Sequence, residues 1–111
     1  MIGRQQVLEK YNNRCAYCGH DLTLKTMQVD HKQSKHTGGT DNIDNLMPSC
    51  RLCNHYKRAQ SIEAFRVCVQ GMLRKLEKIY IFKVAQKYDM INWRGWDGRF
   101  YFEYFEDGRA K

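Results

Sequence analysis

The sequence predicts an α+β fold in which a small strand framework, stapled through four cysteines, is followed by a long amphipathic helix and a C-terminal aromatic β-hairpin. Three observations lead there. Two Cys-x-x-Cys pairs, Cys15/Cys18 and Cys50/Cys53, frame a 31-residue insertion. Apolar residues recur at helical spacing behind Ser61, and Asp97–Gly98 stands between aromatic runs with the chemistry of a two-residue hairpin turn. The 111 residues contain no Pro/Gly/Ser-rich linker and read as one domain. A mean hydropathy of -0.73 implies a modest apolar core, the situation in which a metal staple adds most.

Taken in order, residues 4–13 read as a short helix with Val7, Leu8 and Tyr11 on one side, running into a turn at Asn12–Asn13. Residues 15–19 read as a knuckle that points two thiolates at one place, with Gly19 relieving the backbone. Residues 27–31 are a strand candidate, and residues 35–45, with Gly38–Gly39 and several Asp and Asn, form a polar loop. A helix begins near Arg51 and carries Cys53, Asn54 and Lys57. Ser61 is a good N-cap, Glu63 suits the first turn, and Ile62, Phe65, Val69, Met72, Leu73 and Leu76 make one apolar stripe. Gly71 falls on the polar side of that helix, at a cost of about 1 kcal/mol relative to Ala. Cys68, on the apolar side, reads as a small core residue. Residues 82–91 predict a shorter helix, and Trp93, Trp96, Phe100, Tyr101 and Phe102 flank the expected hairpin turn. The organisation is therefore residues 1–60 as a motif-bearing core and residues 61–111 packed upon it.

The formal charge is +7, and residues 56–111 hold 12 of the 19 Lys and Arg, so a polyanionic partner fits. No stretch resembles a signal peptide or approaches the roughly 18 apolar residues of a membrane span, so no membrane partner is expected. The expected compartment is the cytoplasm, a bacterial host's if the chain is phage-encoded. Thiols stay reduced there, and five cysteines in that setting argue for metal rather than a disulfide framework. Four thiolates from Cys15, Cys18, Cys50 and Cys53 complete a tetrahedral structural zinc site and leave no coordination position for water.

The insertion contains Asp30-His31, then Gly38–Gly39, then Asp44-Asn45-Leu46, and closes on Cys50-x-x-Cys53-Asn54-x-x-Lys57. Over residues 4–60 this order resembles the HNH endonuclease family, with its ββα-metal core. The resemblance implies DNA as substrate, His31 as general base, Asn45 as the residue that orients it, and Asp30 and Asn54 as ligands of a catalytic divalent ion, magnesium or manganese. The family name calls for His at the last position. This chain has Asn54 there, as many members do, with His55 beside it; His55 reads as structural or DNA-facing, and His20 and His36 as surface residues.

The residue types suit that chemistry on their own terms. A neutral imidazole accepts a proton near pH 7, and a hydrogen bond to its far nitrogen selects which nitrogen does so. A hard divalent ion takes oxygen ligands and keeps several waters. Neighbouring strand residues point to opposite faces, so the strand must end, twist or bulge at Asp30-His31 if both are to serve one cleft. Lys57, one turn after Asn54, is placed to touch a phosphate, and Arg51 and Arg58 are further nucleic-acid-binding candidates. The aromatic tail suits packing on the long helix, stacking on bases, or pairing with a second copy. A non-cutting zinc-containing DNA-binding module of a larger assembly is the alternative function, and a protein-binding zinc adaptor the third. RNA as substrate, the cleavage specificity and a monomeric or dimeric state are left open by the sequence.

Overall fold

The computed structural model describes residues 3–92 and 94–108. Helix α1 (Arg4–Glu9) buries Val7 and Leu8. It is shorter than the periodicity predicts, because Asn12 and Asn13 both adopt φ of 60°, a left-handed conformation that asparagine tolerates and a helix does not. The chain then turns through the cysteine knuckle to β1 (Gln28–His31), crosses the polar loop in two single 3-10 turns at Lys35–Thr37 and Ile43–Asn45, and returns as β2 (Leu46–Ser49).

The two strands pair antiparallel, with Gln28 opposite Ser49, Asp30 opposite Met47 and His31 opposite Leu46. All four residues of β2 are buried. Pro48 has no N–H to give, but its carbonyl accepts from Ala16 N at 2.8 Å, so the knuckle covers the edge of β2. Helix α2 (Arg51–Lys57) follows at once, its N-terminus capped by Cys50 Sγ accepting from Cys53 N at 3.4 Å. The succession β1, β2, α2 sets one helix against a two-stranded sheet.

Behind it the structure departs from the sequence reading twice. Ser61 caps α3 (Ile62–Gln70) as expected, its Oγ accepting from Ala64 N at 3.1 Å. The predicted long helix, however, divides at Gly71 into α3 and α4 (Met72–Glu77), at the residue of lowest helix propensity in the stretch. Helix α5 (Tyr80–Lys87) projects onward with Tyr80, Ile81 and Tyr88 exposed. Cys68 is half-buried rather than a core residue, its thiol donating to Gln60 Oε1 at 3.2 Å.

The second departure is the tail. In place of a β-hairpin, Asp97–Gly98 leads into a helix, α6 (Tyr101–Glu106). Glu103 Oε1 accepts from Phe100 N at 2.9 Å and so caps the first turn, while Tyr101 N and Phe102 N donate to Tyr17 O and Ala16 O at 3.1 and 2.7 Å. Those bonds satisfy the donors that a hairpin ladder would have used, and they place the aromatic side chains around the knuckle instead of on a sheet face. Trp93, the first aromatic of the expected hairpin, lies outside the described residues.

The core joins the two halves of the chain. Val7, Leu8, Tyr11, Ala16, Tyr17, Met47, Phe65, Phe100 and Phe102 are buried in one cluster. Phe65 and Phe100 stack at 5.2 Å, and Tyr17 meets both rings edge-on at 5.4 Å. Helix α6 is held to α3 by a two-pronged ion pair, Arg66 Nη1 and Nη2 lying 2.7 and 2.9 Å from the two carboxylate oxygens of Glu103. Burial alone would raise the Glu103 pKa, but the Arg66 guanidinium and the Phe100 N–H outweigh it and hold the carboxyl below its ordinary value of 4.5. A depressed folded pKa contributes stability that is present above the ordinary value and lost as pH falls below it. Glu103→Gln should therefore cost about 1–3 kcal/mol at pH 7. It should also flatten the decline in urea-unfolding stability below about pH 4.5, and an unchanged decline would remove Glu103 as its source.

Candidate active site and metal centre

Two sites are built from the elements that flank the sheet. The first is the cysteine cluster. Cys15 and Cys18 come from the knuckle before β1, and Cys50 and Cys53 from the junction of β2 with α2, so pairing the strands brings both pairs together. The four Sγ atoms lie within 4.8 Å of one another and form a group that can hold a metal ion. Backbone N–H groups already point at two of the sulfurs, Cys50 N at Cys15 Sγ and Cys53 N at Cys50 Sγ, each at 3.4 Å. As thiols they compete for protons. Hydrogen bonds from Cys18 and Cys53 hold Cys15 far below the ordinary thiol range, whereas Cys18 is pushed up to about 12, first by its bond to Cys15. Cys53 is pushed higher still by its bonds to Cys15 and Cys18. Several thiolates coexist at such a spacing only around a cation.

The second site lies where β1 ends. The strand stops at His31, which resolves the geometric difficulty of two adjacent residues serving one face: Asp30 and His31 both line a cleft of about 240 Å³ with Ser34, Lys35, Arg58 and Ala59. Asp30 is buried. Its Oδ2 accepts from the Tyr17 hydroxyl at 2.5 Å and pairs with Lys57 Nζ at 2.9 Å, and the same ammonium donates to His31 O at 3.1 Å. Asn54, one turn before Lys57 on α2, donates through Nδ2 to Gln28 Oε1 at 2.6 Å, which leaves its carbonyl oxygen as an acceptor. Gln28 and Asp30 are two apart on β1 and share its α2-facing side.

Two sequence expectations are corrected here. Lys57 is not on a phosphate-facing surface: it is 1% exposed, because a lysine one turn beyond Asn54 points at the strand rather than at solvent, and its charge answers Asp30. Asn45 makes no direct hydrogen bond to the His31 ring among the described residues. Its Oδ1 accepts from Gln33 N at 2.8 Å, and its Nδ2 donates to Gln33 O and Thr40 O at 3.0 and 2.7 Å, so both ends of the amide clamp the loop. The His31 ring instead bonds to Asp41, whose Oδ1 lies 2.8 Å from Nε2 and accepts. Arg51, Arg58 and His55 are exposed, as are His20 and His36.

Sequence reasoning missed Tyr17, Lys35 and Asp41. Tyr17 sits between two metal-type cysteines, where nothing in the pattern distinguishes it from a spacer. Asp41 and Lys35 belong to a polar loop whose path is fixed by Asn45 and by Gly39, where an added Cβ would fall 1.9 Å from Gln33 O. No helix among the described residues is long and apolar enough to cross a membrane.

A cysteine cluster that can hold a metal ion thus stands beside a strand-strand-helix unit, with an aspartate and a histidine at the strand end. Residues 15–60 match the family model described as HNH endonuclease. It is 34% identical over 57 residues to the CRISPR-associated endonuclease Cas9 of Corynebacterium diphtheriae, covering 50% of this chain and 5% of that protein. It is 30% identical over 67 residues to the SPbeta prophage-derived protein YoqL of Bacillus subtilis, named for an HNH endonuclease, covering 53% of this chain and 29% of that one. Among solved structures, the Type II-C Cas9 enzyme from Actinomyces naeslundii superposes with a TM-score of 0.52 at 28% identity, over 58% of this chain and 7% of that one. The chain thus spans a small part of each of these relatives.

Removing one member of a buried ion pair strands the other. Lys57→Met should destabilise the protein by about 3–5 kcal/mol. Adding Asp30→Asn should recover much of that loss, and a Lys57→Met protein with wild-type urea stability would show that the pair is not an internal support.

Proposed function

We propose that this chain is a metal-dependent endonuclease that hydrolyses DNA phosphodiester bonds, with residues 1–60 as the nuclease core and residues 61–111 packed upon it. The observation that carries the reading is the convergence of Asp30 and His31 on one cleft, with Lys35 and Arg58 among its lining residues. His31 acts as the general base and takes a proton from the attacking water. Arg58 and Lys35 supply positive charge for the phosphate, and Arg51 contacts the duplex alongside. Asp30 Oδ1 and the Asn54 carbonyl are the oxygen donors for a divalent ion such as magnesium or manganese, Asp30 Oδ2 being engaged by Tyr17 and Lys57. Such an ion, when bound, polarises the phosphate and stabilises negative charge on the leaving 3′ oxygen. The Asp30 carboxylate is held in one orientation before any ion arrives, which spares ordering at the moment of reaction.

In this reading the four cysteines hold zinc. A tetrahedral shell with zinc–sulfur distances of about 2.3 Å puts its sulfurs about 3.8 Å apart, and Cys18 and Cys50 Sγ lie 3.9 Å apart. Four sulfurs close the shell, so the ion stabilises the fold and leaves the reaction to the cleft. Reduced cysteines and the +7 charge fit a cytoplasmic protein working on nucleic acid.

Zinc analysis should find about one ion per chain, and Cys50→Ser should lose the ion and cooperative unfolding together; a folded, zinc-free wild type would sink the staple. The test of activity is nicking of supercoiled plasmid in magnesium or manganese by zinc-replete wild type and His31→Ala. A general base contributes about 10²–10⁴-fold, so His31→Ala should lose nicking to that extent while DNA binding persists. If the folded wild type binds DNA and cuts neither DNA nor RNA with any divalent ion, the non-cutting DNA-binding module becomes the better account.

A further inference from the structure

We propose that Asp41 is the positioning residue for His31, accepting the Nε2 proton so that Nδ1 is the ring nitrogen presented to the attacking water. The inference rests on the reading of His31 as general base and specifies which atom of the ring does the work. His31 Nε2 and Asp41 Oδ1 are 2.8 Å apart. An ionised carboxylate only accepts, so the proton of a neutral imidazole must reside on Nε2, and the lone pair is left on Nδ1. That nitrogen has no hydrogen bond among the described residues. Asp41 is kept ionised by its two partners, held below the ordinary carboxylate range first by the His31 bond and then by Lys35, whose Nζ lies 2.7 Å from Oδ2.

The position of Asp41 is secured by the loop that carries it. Asn45, at the foot of β2, donates to Thr40 O immediately before Asp41 and brackets Gln33 through both its N–H and its carbonyl. Asn42 N donates to Thr40 Oγ1 at 3.3 Å on the other side. Gly39 permits the close pass of the loop against Gln33 and Ser34, where any side chain would collide with backbone. The middle asparagine of the motif therefore acts at one remove: it holds the loop, and the loop holds the carboxylate on the ring. Asp41 is 63% exposed and shares its charge with Lys35, so its contribution is orientation and tautomer choice more than field strength.

The test uses the zinc-replete 111-residue chain with ¹⁵N-labelled histidine and three variants, Asp41→Asn, which keeps the shape of the side chain, Asp41→Ala and Asp41→Glu. In DNA-free wild type the His31 Nε2 proton should be shifted downfield and slow to exchange with water; Asp41→Ala should lose both features. In plasmid nicking Asp41→Asn and Asp41→Ala should lose about 10–100-fold in kcat, less than a fully buried orienting carboxylate contributes. Apparent DNA affinity should be unchanged or tighter, because an acidic group bonded to the cleft residues His31 and Lys35 has been removed, and Asp41→Glu should retain more kcat than Asp41→Ala. A His31 proton that behaves alike in wild type and Asp41→Ala overturns the assignment, as does a folded Asp41→Asn protein with wild-type kcat. Weakened DNA affinity at constant kcat also overturns it, since Asp41 would then serve the loop rather than the ring. A wild type that does not nick removes the general-base reading and this assignment with it, whatever the spectra show, so the two failures are told apart by the wild-type lane.

Discussion

An ammonium and a carboxylate, both withdrawn from water, meet where the first strand ends against the helix that follows the second: Lys57 Nζ lies 2.9 Å from Asp30 Oδ2. Two buried charges are tolerable only with close approach and further hydrogen bonds. Here the Tyr17 hydroxyl supplies one to the carboxylate, and the His31 carbonyl takes one from the ammonium. This arrangement fixes three things at once. It sets α2 against β1, it turns the Asp30 carboxylate so that one oxygen is committed, and it restrains the backbone of His31 next door. The cleft inherits its geometry from an electrostatic necessity inside the protein.

Tyr17 connects that pair to everything else. It stands between Cys15 and Cys18, so the cysteine cluster and the cleft share a single rigid turn of chain. The ring stands edge-on against the stacked pair of Phe65 of α3 and Phe100 at the start of α6, and the Tyr17 carbonyl accepts from Tyr101 N. A change in the cluster or in the aromatic tail is therefore felt at Asp30 through one residue. The C-terminal half is in this sense the back wall of the site, while α5, with its exposed Tyr80, Ile81 and Tyr88, stands away from it. Fixing side chains from behind is how a chain with a modest core achieves a positioned carboxylate.

Much of the framework was legible because it rests on local rules. The cysteine spacing announced the cluster, Ser61 announced the start of α3, and Asp30-His31, Asn45 and Asn54 marked the motif. What misled the reading was local chemistry with two solutions. Asp97–Gly98 is as compatible with a helix N-terminus as with a hairpin, and Glu103, three residues after Phe100, tipped it to helix by capping the Phe100 N–H and reaching Arg66. The stripe from Ile62 to Leu76 continues through Gly71 in periodicity but not in backbone.

The sequence by itself determined which residue types stand in the motif order, how many thiols can gather, and the sign of the charge, because each of these is a property of composition and spacing. Tertiary structure alone decided who partners whom. Lys57 turned from a phosphate ligand into the counter-charge of Asp30, Asn45 from a partner of the imidazole into the clamp of a loop, and Asp41 from an anonymous loop residue into the group that meets His31. A long polar side chain can reach many neighbours from one backbone position, and only the packing of strands, helix and loop, with the cost of leaving a buried charge unanswered, selects among them.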